Sequence, residues 1–141
     1  MIKIKVILIT ALLVILPLII SACSCGRFEP NTGIGFSTFE QVAAVVAKPS
    51  ANTVILDVNP DSVRNKNGVI PKAIKLSGYN NYALGELPAD KSTTLIFYCY
   101  NQSCGASAQA ANRALDFGYT KVFIFKAGIV GWNAQVNKSH S

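Results

Sequence analysis

The chain has 141 residues, half of them hydrophobic, with 13 Lys and Arg against 7 Asp and Glu and a formal charge of +6. That apolar content excludes a disordered chain, and the length suits one domain with a core of its own. The basic residues from Arg27 to Lys138 form no run and no helical stripe, which argues against a nucleic-acid partner. The single histidine, His140, is next to last, which sets aside a His-based triad or a His metal site.

The first residues read as an address. Lys3 and Lys5 make a short basic segment, Val6 to Ile20 is apolar and uncharged, and Ser21 and Ala22 are small. That order defines a secretory signal. Ile20-Ser21-Ala22-Cys23 resembles a bacterial lipobox, which implies lipidation at Cys23 and removal of residues 1–22. The alternative is an uncleaved anchor, because the uncharged stretch to Cys23 is about long enough to span a bilayer. Both readings keep Lys3 and Lys5 inside and put the remainder on the outer face of a membrane. The expected partner there is the lipid membrane, and the expected location is a membrane-anchored, extracytoplasmic lipoprotein. Cys25 is either a second acylation site or a spare thiol.

Residues 23–35 read as a tether, since Pro30, Gly33 and Gly35 suit no regular structure. Ile34–Phe36 is a short first strand. Ser37-Thr38-Phe39-Glu40 is a capping-box sequence, and Phe39, Val42, Ala43 and Val46 recur at helical spacing up to Pro49. Thr53–Val58 is a β-branched run of the kind found in buried parallel strands. Asn59-Pro60-Asp61 turns the chain, and Ser62–Lys66 is a short helix stopped by Asn67-Gly68. Ala73–Leu76 is a short strand and Tyr79–Leu87 a helical turn. Thr94–Tyr98 is a second buried strand. Ser107–Phe117 is a helix with Ala108, Ala111 and Leu115 on one face and Gly118 as its stop. Lys121–Phe125 is a last strand, and Gly128–Val136 a closing helix in which Trp132 packs.

Alternating strands and helices imply right-handed βαβ units and a parallel sheet covered on both faces. Ligands bind such sheets beyond the C-terminal strand ends. Asp57 and Cys99 both lie at such ends, and Cys99 is followed by a polar loop of Tyr100, Asn101, Gln102, Ser103, Cys104 and Gly105. A sulfur nucleophile must react as thiolate, and a free Cys titrates near about 8.5. Loop N–H groups curled around Cys99 and the following helix N-terminus favour the anion. Lys126, after the last strand, adds positive potential from a second sheet end. Asp57 is expected to satisfy nearby backbone N–H groups rather than move a proton. Strand alternation sets Tyr98 and Tyr100 on opposite sides of Cys99, so at most one of them lines the site.

The stretch from Phe36 to Trp132 resembles a rhodanese-like domain. Leu56-Asp57-Val58 is similar to that family's aspartate-bearing strand end, Gly68-Val69-Ile70-Pro71-Lys72-Ala73 to its Gly-His-Ile-Pro-Gly-Ala turn, and Phe97-Tyr98-Cys99 to the strand that presents the catalytic cysteine. Gly118-Tyr119 through Val122, with Gly128–Trp132, resembles the closing strand, glycine and tryptophan. The resemblance implies an α/β fold with a five-stranded parallel sheet flanked by helices, over residues 36–136, with 137–141 as a tail. It implies sulfur transfer through a persulfide on Cys99, with the loop from Tyr100 to Gly105 binding the anion. A small sulfur-donor anion and a thiol acceptor are the expected partners, with no metal or organic cofactor, in a monomer. Three positions depart from the pattern: Asn59 stands at a common Arg, Val69 at the His of the turn, and Cys104 at the loop Arg. Cys104 therefore stays open as a resolving thiol, as half of a soft-metal pair, or as a bystander. The rival to an enzyme is a thiol module that binds a soft metal or a partner through Cys99 and Cys104. A third reading is a redox dithiol that forms a reversible Cys99–Cys104 disulfide.

Overall fold

A computed structural model describes residues 33–141. The expected leader, the expected lipidation site Cys23, and Cys25 lie outside these residues. The elements run β1 (Gly35–Phe36), α1 (Phe39–Ala47), β2 (Thr53–Asp57), α2 (Asp61–Asn67), β3 (Ile74–Lys75), a 3-10 turn at Leu84–Glu86, β4 (Thr94–Tyr98), α3 (Ala106–Asp116), β5 (Val122–Ile124) and α4 (Gly128–Ser139). The five strands pair in parallel in the order β1-β5-β4-β2-β3. Among the described residues, no helix is long and apolar enough to cross a membrane.

Strand alternation divides the core. Leu95, Phe97 and Cys99 turn to the face covered by α3, packing with Tyr82, Ala110, Ala111 and Ala114. Ile96 and Tyr98 turn to the opposite face, packing with Val42, Ile55, Ile129 and Trp132. Both faces are covered, as a continuous apolar strand requires. Cys99 is thereby delivered to the α3 face at the exit of a central strand.

Three local expectations shift. The first helix is capped by Thr38 and not Ser37: Thr38 Oγ1 accepts from the Gln41 N–H at 3.3 Å, and Gln41 Oε1 accepts from the Thr38 N–H at 2.9 Å. Ser37 is unavailable as the cap because its N–H donates to the Ile124 carbonyl at 2.9 Å, extending the β1–β5 ladder. On α3, Ser107, Ala110, Ala111 and Ala114 are the buried positions, while Ala108 and Leu115 flank the core half-buried. The helix starts at Ala106 and turns its smallest side chains to the sheet. The closing helix also continues to Ser139, beyond the expected end at Val136.

Asp57 is fully buried at the end of β2. Its Oδ1 accepts from the Asn59 N–H and the Asn59 Nδ2, both at 2.8 Å, and its Oδ2 pairs with Arg64 Nε at 3.1 Å. Arg64 Nη2 also donates to the Asp57 and Leu76 carbonyls at 3.0 and 2.9 Å. One guanidinium thus ties α2 to the exits of β2 and β3.

On the other side, α4 docks on the exit of β4. Ile129 N–H donates to the Cys99 carbonyl at 3.0 Å, and Val130 N–H to the Tyr100 carbonyl at 3.1 Å. The approach is close because Gly128 sits at φ +63°, and a Cβ there would meet the Tyr100 oxygen at 2.5 Å. Gly118 also has positive φ, +90°, but faces open space.

Arg64→Ala strips a buried carboxylate of its counter-charge, and urea unfolding is expected to show a loss of about 3 kcal/mol. An unchanged midpoint contradicts the pairing. Gly128→Ala meets backbone as well as strain and is expected to lose about 2 kcal/mol or more, clearly beyond Gly118→Ala, which carries strain alone at about 1 kcal/mol. Equal losses at the two glycines contradict the close approach of α4 to the loop.

Candidate functional site

The loop between β4 and α3 carries two free thiols, Cys99 and Cys104. Its form follows from its polar residues. Asn101 Oδ1 accepts from the Ser103 N–H at 3.1 Å, and the Asn101 carbonyl accepts from the Cys104 N–H at 3.1 Å. An Asn at the head of a short loop favours such a turn by mimicking backbone. The turn swings Cys104 back toward the strand end.

The Cys99 thiol has two acceptors in reach: the Cys104 carbonyl at 3.3 Å and Ser107 Oγ at 3.4 Å. A carbonyl opposes an anion, so the surroundings of Cys99 favour the neutral thiol. Burial, and after it the neighbouring Cys104, pushes the Cys99 pKa up, and the contacts from Ser107 recover only part of this. At Cys104 burial acts in the same direction. It is outweighed there by the Cys99 thiol and by backbone hydrogen bonds from Tyr100 and Ala106, which hold Cys104 below the ordinary thiol range. The backbone cradle expected around Cys99 is therefore split. Its Tyr100 and Ala106 groups serve Cys104, Ser107 serves Cys99, and the Ser103 and Cys104 N–H groups are used within the turn.

A cavity of about 240 Å³ opens beside this loop. Ile34, Phe36 and Ile124 form its apolar side, and Gln102, Cys104, Ser107, Ala108 and Lys126 complete the wall. Lys126 is exposed, with its Nζ 5.4 Å from the Phe36 ring centroid. Cys99 does not line the cavity and is 2% exposed. Tyr100, Asn101, Ser103 and Gly105 shape the loop without lining the cavity, and Tyr100 is exposed. Tyr98 is buried on the opposite face, its hydroxyl accepting from the Ile70 N–H at 3.1 Å. Burial first, and then the Asp57 charge, pushes the Tyr98 phenol far above its usual range. Asp57 works at the next strand exit as an anchor.

Sequence reasoning missed two residues. Ser107 partners the Cys99 thiol, and its signal was a small polar side chain in the first turn of the helix after the loop. Arg64 neutralises Asp57, and its signal was the Asp61–Arg64 spacing on one face of a short helix, an ion pair at 3.0 Å. Among the described residues, no group of three or more His, Cys, Asp or Glu gathers to hold a metal ion.

Residues 39–135 match the family model described as the rhodanese-like domain. No curated protein sequence matches the chain. Among solved structures, a single-domain sulfurtransferase of Saccharomyces cerevisiae shares 21% identity over 76% of this chain and 94% of its own, with a TM-score of 0.62. A protein from Bacillus halodurans shares 18% identity over 72% of this chain and 73% of its own, with a TM-score of 0.61. A protein of unknown function from Rhodopseudomonas palustris, described as a possible tyrosine phosphatase, shares 21% over 73% of this chain and 82% of its own, with a TM-score of 0.59. At these identities the structures speak for the fold, and the family match spans more than half of the sequence. With an all-parallel sheet, a cysteine at the exit of β4 and this match along the domain, the chain belongs to the rhodanese-like family.

Proposed function

We propose that this domain is a sulfurtransferase that carries sulfur as a persulfide at the Cys99–Cys104 site, with Cys99 as the carrier. The observation that carries the reading is the pair of free thiols at the exit of β4, one of them on the wall of a cavity with a lysine. A small sulfur-donor anion fits such a cavity, with Lys126 supplying the attraction. Sulfur transfer needs a thiolate, and the loop N–H groups supply the anion with hydrogen bonds. The fold shared with a yeast sulfurtransferase supports the same reaction class. No side chain from Tyr100 to Gly105 is charged, so the backbone and Lys126 take the part of a loop arginine. The second substrate is a thiol acceptor, which attacks the outer sulfur of the persulfide.

The N-terminal sequence supports a membrane-tethered, extracytoplasmic setting with lipidation at Cys23. There the domain meets small anionic sulfur compounds at the membrane surface. The uncharged loop favours one rival, a thiol module without turnover, in which Cys99 and Cys104 bind a soft metal ion such as Cu(I).

The test is peptide mass analysis of the reduced full-length protein after exposure to thiosulfate or to a polysulfide. The peptide bearing Cys99 and Cys104 is expected to gain the mass of one sulfur atom and to lose it to an added thiol. The Cys99→Ser/Cys104→Ser double variant is expected to gain none there. Failure of every donor to add sulfur to this peptide, with Cu(I) retained instead, contradicts the transferase reading and supports the rival.

A further inference from the structure

The two thiols at the exit of β4 differ in access. Cys104 is part of the cavity wall with Gln102, Ser107 and Lys126. Cys99 is 2% exposed and is not part of that wall, its thiol directed at two residues that are, through the Cys104 carbonyl and Ser107 Oγ. A donor that enters the cavity therefore reaches Cys104 before Cys99.

The polar groups impose the same order. Backbone N–H groups of Tyr100 and Ala106, together with the Cys99 thiol, act on Cys104 and favour its thiolate. Cys99 has a carbonyl for a neighbour and is held as the thiol. The more accessible, half-buried member of the pair is thus prepared to attack, and the buried member holds a proton. This is the reverse of what strand position alone suggests.

We propose, resting on the sulfurtransferase reading, that Cys104 is the entry thiol, which takes sulfur from a donor in the cavity and hands it inward to Cys99. With thiosulfate, the Cys104 thiolate attacks the outer sulfur of the donor. A bond forms between that sulfur and Cys104 Sγ, the donor S–S bond breaks, and sulfite leaves with the electron pair. Cys104 now holds a persulfide, and its outer sulfur takes the proton from the Cys99 thiol. The Cys99 sulfur then attacks that outer sulfur, a new S–S bond forms, and Cys104 leaves as thiolate to recover its backbone hydrogen bonds. The second step exchanges one persulfide for another and needs no oxidant or reductant. Its product is held out of solvent, which protects a species prone to loss and oxidation. An acceptor thiol draws sulfur out by the reverse route through Cys104.

Rapid-quench peptide mapping of the full-length protein with thiosulfate tests the relay, using wild type, Cys99→Ser and Cys104→Ser. Cys99→Ser is expected still to load sulfur on Cys104 and to lose it faster to an added thiol. Cys104→Ser is expected to load Cys99 more slowly by about tenfold or more. Loading of Cys104→Ser at the wild-type rate, or absence of sulfur on Cys99→Ser, overturns the relay and leaves the transferase reading standing. A wild-type protein that takes no sulfur from thiosulfate or polysulfide defeats both. Limiting iodoacetamide on the reduced wild type gives a check free of any folding defect in the variants. Cys104 is expected to be modified first, and prior modification of Cys99 overturns the proposal.

Discussion

The carbonyl groups of Cys99 and Tyr100 are held by the first turn of α4, and the thiol site takes its orientation from those two hydrogen bonds. A trans peptide is planar, so its C=O and N–H point in opposite directions. Fixing the Cys99 carbonyl on Ile129 therefore turns the Tyr100 N–H away from α4, and that N–H serves Cys104. Gly128 permits the approach, because a side chain there would strike the same two carbonyl oxygens. The chemistry of a cysteine loop is thus set by a glycine on a different element.

The sheet supplies the remaining geometry. Pairing of β1 with β5 brings Ile34, Phe36 and Lys126 alongside the loop after β4, and this non-local contact creates the cavity wall opposite Cys104. Arg64 is engaged with Asp57, Asp61 and two carbonyls at the exits of β2 and β3. Its charge stabilises the scaffold, and Lys126 is the cation on the cavity wall. A lysine on a flexible stem offers attraction without the fixed fork of a guanidinium.

Much of this fold was legible in the chain. Thr53–Asp57 and Thr94–Tyr98 are runs of β-branched and aromatic residues with no competing helical period, so the two central strands emerged with nearly their observed bounds. Gly118 and Pro49 marked helix ends through backbone preferences that act locally. The cap at Thr38 escaped because Ser37 satisfies the same local pattern, and only the ladder to Ile124 decides between them. Cys99 and Cys104 could be found by spacing, yet the difference in their surroundings could not. It depends on which way individual peptide planes face, and that is decided by α4, some thirty residues downstream in the chain. Ser107 and Arg64 were hidden for a related reason, since each acts on a group from another element.

The ultraviolet absorbance of thiolate, followed through a pH titration of the reduced full-length protein, tests the assignment of the two sulfurs most directly. Coupled groups titrate as a pair, so wild type is compared with Cys99→Ser and Cys104→Ser. Two separated ionisations are expected from this site. The lower one, below the ordinary thiol range, disappears in Cys104→Ser, and the higher one, above it, disappears in Cys99→Ser. The first thiolate forming at Cys99, or both sulfurs titrating together as ordinary thiols, contradicts the orientation of the loop described here.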